Sequence, residues 1–199
     1  MIRNFFIALS LVCFSTLAVA IEAPDALVKR TAEDVLAIVK SDADIQAGDQ
    51  AKIFALAEEK ILPNFNFERV SRLVLGKNWT RATAEQKTAF QSEFRTLLLR
   101  TYATALSKYK DQKIEFLPLR MTDDAKTVSV KTKIIQSGGQ PIMVDYSLAR
   151  EGDTWKVYDI VIEAVSLVTN YRGQFSQEIR QNGLDSLIKK LADKNAAAK

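Results

Sequence analysis

Four segments in the middle of this chain alternate apolar and polar residues, and each is divided from the next by a tight-turn signature. That pattern leaves an antiparallel meander as the only simple arrangement. The clearest segment is Lys126–Gln136, where Val128, Val130 and Ile134 alternate with Ser129, Lys131 and Lys133. Ser137-Gly138-Gly139 reads as a hairpin turn. The next segment, Pro141–Arg150, sets Ile142, Val144, Tyr146 and Leu148 on one side and Met143, Asp145, Ser147 and Ala149 on the other. Thr122-Asp123-Asp124-Ala125 and Glu151-Gly152-Asp153 supply the remaining turns, which predicts outer strands over Lys113–Leu119 and Thr154–Glu163. The last strand is apolar on both sides, with Trp155, Val157 and Val161 against Tyr158, Ile160 and Ile162. An antiparallel strand of that kind is covered on both faces or carries a bulge.

Helical periodicity brackets this meander. Pro24–Val39 is predicted as a first helix, with Leu27, Thr31, Val35 and Ile38 on one face. Gln50–Ile61, stopped by Pro63, and a short helix from Asn66 to Gly76 follow. Thr83 and Gln86 stand in the capping-box relation at the start of a long fourth helix. Along it Phe90, Phe94, Leu98, Tyr102 and Leu106 recur every four residues. Such a face belongs to an ordinary core or lines a cavity, and periodicity does not separate the two. After the strands, Val165–Tyr171 reads as an apolar entry segment, Gln174–Gln181 as a helix ended by Gly183, and Leu184–Ala192 as the last helix. The fold class is α+β: an antiparallel sheet of about four strands flanked by N- and C-terminal helices.

The first twenty residues set the compartment. Arg3, the apolar run Phe5–Leu17 and Ala18-Val19-Ala20 form a secretory signal peptide with an A-x-A cleavage site at residues 1–20. The run is too short for a membrane span, which needs about 20 residues. Residues 21–199 are then expected to form one soluble domain. The single cysteine, Cys13, falls inside the leader, and Val12 before it is too large for a lipoprotein site. The chain has no histidine. A mature chain without His or Cys lacks the usual general base, the usual zinc ligands and the thiol nucleophile. The net charge is +4 with the leader, well short of the dense positive field of a nucleic-acid binder. No cofactor is expected.

Three acidic pairs are the catalytic candidates. Asp123 with Asp124 and Glu58 with Glu59 read as solvated charge. Asp159 and Glu163 share a strand face but stand roughly 13 Å apart by strand rise, wider than a glycosidase pair. Arg172, beside Tyr171, reads either as a head-group contact or as a partner of Asp159 or Glu163. Lys131, Lys133, Lys108, Lys110 and Lys113 read as solvated or as a docking surface for acidic partners.

Three stretches carry a family resemblance: residues 67–79 (FERVSRLVLGKNW), the run from Thr83 through Phe90, Phe94 and Leu98 to Tyr102, and Trp155–Ile160 continuing into Val165–Phe175. In this order and spacing the chain resembles the MlaC-type, or toluene-tolerance, family of periplasmic phospholipid carriers. It departs at Glu163-Ala164-Val165, where such proteins often carry a glycine. The resemblance implies a periplasmic, non-enzymatic carrier, acting as a monomer. It would take a glycerophospholipid between an outer-membrane lipoprotein–porin complex and an inner-membrane ABC transporter with a substrate-binding ring protein. It also implies that the twisted sheet and helices enclose an apolar cavity. Val128, Val130, Ile134, Ile142, Val144, Tyr146 and Leu148 would form its sheet wall and Phe90, Phe94, Leu98 and Tyr102 its helix wall. Only one side of the last strand can join the sheet wall, and the set with Trp155 and Val157 is favoured. The alternatives are an interaction or scaffold domain whose apolar faces are all satisfied core, and a carboxylate-based hydrolase.

Overall fold

The computed structural model describes residues 21–109, 112–136 and 138–197. The predicted leader with Cys13, and the predicted roles of Lys110 and Ser137, fall outside the described residues.

The alternating segments form one antiparallel sheet in chain order. Strand β1 (Lys113–Phe116) pairs with β2 (Thr127–Ile135), β2 with β3 (Ile142–Glu151), and β3 with β4 (Thr154–Ile162). A fifth strand, β5 (Val165–Ser166), pairs with the end of β4. Two residues give no periodic signal, and the turn that makes β5 hides its identity. Ile162 pairs with Val165, so Glu163 and Ala164 form a two-residue loop with φ of 48° and 64°. Positive φ at both positions is the type I′ hairpin signature, which Asn-Gly normally supplies. A side chain in that conformation costs roughly 1–2 kcal/mol per residue. The loop is held by β3: Glu163 N–H donates to the Met143 carbonyl at 3.0 Å, and Met143 N–H donates to Glu163 Oε1 at 2.5 Å.

The register of β3 against β4 settles the two-faced strand. Ser147 lies opposite Asp159, yet its neighbour Leu148 lies opposite Val157. Tyr158 is therefore the extra residue of a β-bulge. Side-chain parity reverses across it, so Ile160 and Ile162 join Trp155 and Val157 on one face. The expectation that one set or the other must be chosen is corrected: the inserted residue brings both onto the same side. Tyr158 turns away toward the helices, with the Arg69 guanidinium 4.3 Å from its ring centroid.

Among the described residues, eight α-helices accompany the sheet. Helix α1 (Pro24–Ser41) begins on a proline, as its sequence required. Two five-residue helices, α2 (Ala43–Ala47) and α5 (Lys77–Arg81), are too short for periodicity to reveal. The Asp42 carboxylate caps α2, accepting from Asp44 N–H at 2.9 Å. Helix α3 (Gln50–Leu56) widens into a π-helical turn over Ala57–Ile61 and a 3-10 turn over Leu62–Asn64. Helix α4 (Phe67–Leu75) is capped by Asn66, whose side chain accepts from Arg69 N–H at 2.7 Å. The same Asn66 donates its own N–H to the Val157 carbonyl at 3.0 Å, which ties α4 to the edge of β4. Helix α6 (Ala84–Ser107) opens on the expected capping box. Helix α7 (Leu167–Asn182) is one unbroken helix through Gly173, where a separate entry segment and helix were expected. Its Ser166 cap, typically worth about 1 kcal/mol, is of the size needed to offset the roughly 1 kcal/mol that an interior glycine costs. Helix α8 (Leu184–Ala197) ends the described chain.

The core divides into three clusters. The first joins α4, α5, α6, α7 and α8 around an aromatic group, with Phe94 ring centroids 5.4 Å from Phe90 and 5.1 Å from Tyr171. The second seats Leu27 and Val28 of α1 on Val130, Leu148, Trp155 and Val157 of the sheet. The third joins the far end of α1 (Val35, Val39) to α2 and α3. Residues four apart on a helix drift by about 40° per step, and the α6 stripe does so: Phe90 and Phe94 face the first cluster, Leu106 the third.

An apolar sheet face wider than its cover

Residues directly opposite one another in paired strands share a face, so the registers define rows across the sheet. Val157, Leu148 and Val128 form one row, and Ile160, Tyr146 and Val130 the next. Val165, Ile162, Val144, Thr132 and Phe116 then cross all five strands. Ile142, Ile134 and Ile114 complete the face. Helix α1 packs on the first two rows, and Phe116 packs against the same cluster. Ile114, Ile134, Ile142, Val144, Ile162 and Val165 belong to none of the three clusters. Val165 is 55% exposed and the isoleucines are half-buried, whereas Val144 at the centre is buried. The apolar face therefore continues past the helix that covers it.

One polar residue is set into this face. Thr132 is fully buried, and its hydroxyl donates to the Val144 carbonyl at 2.9 Å. The Tyr146 phenol is pushed up by burial, with a hydrogen bond to Thr132 acting the other way. Thr132 carries no apolar signal, and only its even position in β2 could have placed it here.

The structure divides the residues predicted as walls. Val128, Val130, Tyr146, Leu148, Trp155 and Val157 pack in or against the α1 cluster. Ile134, Ile142 and Val144 lie in the rows beyond it. Phe90 and Phe94 are 0% and 1% exposed, surrounded by aromatic neighbours in the helical cluster, and Leu98 packs against that cluster. Tyr102 is half-buried, its phenol pushed up to about 12 by burial and then by the neighbouring Tyr171 phenol. The sheet residues and the α6 aromatics thus sit in separate clusters. An open groove of about 550 Å³ at the start of β2 is lined by Arg120, Met121 and Val128 among others, and touches only Val128 of these residues.

The acidic candidates have structural roles. Asp159 accepts from the Ser166 hydroxyl at 2.6 Å and from Val168 N–H at 3.1 Å. Glu163 holds its own turn. Neither takes Arg172, whose guanidinium lies over Gly76: a Cβ there would stand 3.4 Å from Nη2. Lys131 and Lys133 face Asp145 and Glu115 at 3.8 Å each. Among the described residues no group of three His, Cys, Asp or Glu side chains could hold a metal ion, and no helix is long and apolar enough to cross a membrane.

Sequence reasoning missed one further group. Arg100 directly follows the apolar run Leu97-Leu98-Leu99 on α6, and its Nε and Nη1 are buried without a hydrogen-bond partner. Its Cζ lies 5.9 Å from the Phe54 ring centroid.

An open five-stranded antiparallel sheet with a long apolar face, partly covered by helices, defines the class as α+β. The comparisons make the class specific. The model of the MlaC protein family matches residues 29–193. The toluene tolerance protein Ttg2D of Pseudomonas putida is 31% identical over 193 residues, covering 95% of this chain and 89% of that protein. The intermembrane phospholipid transport system binding protein MlaC of Haemophilus influenzae is 27% identical over 177 residues, covering 87% and 83%. A phospholipid-binding protein from Ralstonia solanacearum, solved in complex with a phospholipid, superposes with a TM-score of 0.83 at 35% identity, covering 87% of this chain and 97% of that one. This chain belongs to the MlaC family.

Proposed function

We propose that this protein is a soluble carrier that takes up a glycerophospholipid by its acyl chains and moves it between membranes. The observation that carries the reading is the set of apolar rows around Ile134, Ile142, Val144 and Ile162, which belong to none of the three core clusters and whose isoleucines are only half-buried. A relative of the same fold is solved with a phospholipid bound, and the H. influenzae relative is the binding protein of an intermembrane phospholipid transport system.

The physics of the task explains the surface. Two acyl chains carry about 30 methylenes, and each costs about 0.8 kcal/mol to expose to water. Bare transfer through water therefore faces a barrier on the order of 20 kcal/mol. A carrier lowers it by replacing the bilayer interior with its own apolar wall. No bond is made or broken, and the MlaC family is one of non-enzymatic lipid carriers. The binding wall is built from the outer sheet rows, together with Val128, Val130, Tyr146 and Leu148 where α1 loosens from them. The protein works in the periplasm, between an outer-membrane lipoprotein–porin complex and an inner-membrane ABC transporter, and so maintains the lipid asymmetry of the outer membrane.

Organic extraction of the purified mature protein, followed by mass spectrometry, tests the reading. The expected result is glycerophospholipid in a fixed ratio to protein. A protein that yields no lipid, and takes none from phosphatidylethanolamine-containing vesicles, would instead be an interaction domain.

A further inference from the structure

Ion pairs are unevenly spread over this molecule. Lys29 and Arg30 on α1, Lys52 on α3, Lys131 and Lys133 on the sheet, and Lys189 and Lys190 on α8 each face a carboxylate. Helices α4, α5 and α7 differ. They carry Arg69, Arg72, Lys77, Arg81, Arg172 and Arg180, and among the described residues none of these has an acidic partner. The acids on the same helices are Glu68 and Glu178, and Lys190 of α8 takes the Glu178 carboxylate at 2.7 Å.

Two of the guanidiniums are held in place by something other than an acid. That of Arg69 lies 4.3 Å from the Tyr158 ring centroid. That of Arg172 rests beside Gly76, which ends α4 at a φ of 55°. Exposed Arg72 stands between them, and its carbonyl accepts from Gly76 N–H at 2.9 Å. Arg69, Arg72 and Gly76 follow at i, i+3 and i+7, so they share the ridge of α4 that points away from buried Val70, Ser71 and Val74. Lys77 comes next in the chain, and Arg172 reaches the end of this ridge from α7.

The kind of partner follows from what this face lacks. Protein–protein contacts are anchored at their centre by apolar or aromatic side chains. The large hydrophobic residues that stand exposed are Met121, Ile135 and Val165, on or beside the sheet, and none is on α4, α5 or α7. A bilayer surface rich in anionic lipid needs no such anchor, because its head groups draw Lys and Arg by charge alone.

We propose that the α4–α5–α7 face adsorbs this protein onto anionic bilayer surfaces, with Arg69, Arg72 and Arg172 at its centre. The inference goes beyond the carrier reading and uses it only for the reason a carrier dwells at a membrane. Tyr158 turns away from the apolar rows, so this face lies behind β4 and shares no residue with the wall proposed for the acyl chains. Adsorption and lipid uptake are therefore separable by mutation.

The test is sedimentation of the mature protein with vesicles of phosphatidylcholine and phosphatidylglycerol in equal parts, and with vesicles of phosphatidylcholine alone. Wild type is expected to sediment with the mixed vesicles, to ignore the neutral ones, and to be released as salt is raised beyond physiological strength. Each basic residue near an anionic surface strengthens binding about fivefold. Arg69→Gln, Arg72→Gln and Arg172→Gln together should then weaken binding about a hundredfold. If losing the Arg69 contact with Tyr158 unfolds that protein, the double substitution of exposed Arg72 and Arg172 is read instead, with a loss of about twentyfold. Lys29→Gln, Lys52→Gln and Lys189→Gln together remove the same charge from other faces and should leave binding nearly at the wild-type level. A loss as large as that of the ridge variants would overturn the proposal, because net charge alone would then be at work. Wild type that sediments equally with both vesicles, or with neither, also overturns it. So does a protein that ignores the mixed vesicles yet is retained on immobilised polyglutamate through Arg72 and Arg172, because the face then serves an acidic protein. Lipid extracted from the double variant should match wild type. Absence of lipid from wild type would remove the carrier reading and leave the adsorption result standing.

Discussion

Asp159 on β4 and Ser166 at the head of α7 are joined by a hydrogen bond of 2.6 Å from the serine hydroxyl to the carboxylate. The second carboxylate oxygen takes Val168 N–H, and the serine oxygen takes Thr169 N–H at 3.0 Å. A negative charge thus meets the first turn of a helix, where the macrodipole favours it. Ser166→Ala removes both the cap and the link to the sheet. The expected loss is about 1–2 kcal/mol, a fall of roughly 2–8 °C in Tm for a chain of this size. A thermal melt measures it, and lipid content should stay unchanged.

The β4–β5 turn places two side-chain-bearing residues at positive φ. Ala164→Gly relieves one of them, at the price of a more flexible unfolded chain. A gain of about 0.5–1 kcal/mol is expected, visible as a small rise in denaturant midpoint at constant slope. Glu163→Gly is expected to do less, because it also deletes the acceptor for Met143 N–H.

The outer rows give a direct check on the binding wall. Ile142 is half-buried and belongs to no core cluster. Ile142→Lys should therefore cost the fold only about 1 kcal/mol, while setting a charge on the wall proposed for the acyl chains. Extracted lipid is expected to fall by about tenfold or more. Val144→Trp fills the centre of the five-strand row and should also lower loading in protein that still melts cooperatively. Normal loading in both variants would move the chains elsewhere.

Two phenols govern alkaline stability. Tyr102 is pushed up to about 12 and Tyr146 is raised, both chiefly by burial. The unfolded chain loses these protons near pH 10, while the folded chain keeps them. The unfolded state then binds fewer protons, so stability is full below pH 10 and declines as pH rises from there toward 12. Tyr102→Phe should flatten that decline, measured by denaturant titration across the range, and remove one late phenol from the ultraviolet titration.

How much of this was legible follows from what each signal needs. The capping box at Thr83 and Gln86 and the alternation of β2 and β3 are local patterns, and both formed as written. Helices α2 and α5 and strand β5 are shorter than one period of their own pattern. The type I′ turn lacked the glycine that announces it. For β4 the sequence posed the problem of two apolar faces, but the place of the bulge depends on its partner's register. Thr132 and Arg100 escaped notice because a search for apolar stripes passes over polar residues. The aromatics of α6 were read correctly as a stripe, yet what faces a stripe is decided by other elements, here α4 and α7.

The bulge at Tyr158 also makes the apolar face depend on a count. If β4 paired straight through Tyr158 with no residue left over, its distal half would slip by one position against β3. Ile160 and Ile162 would then turn outward and Asp159 and Val161 inward, which would place a carboxylate on the greasy side. Deleting Tyr158 instead leaves Asp159 opposite Ser147 and Ile160 opposite Tyr146, so the extra residue can be lost without changing which side chains line that face.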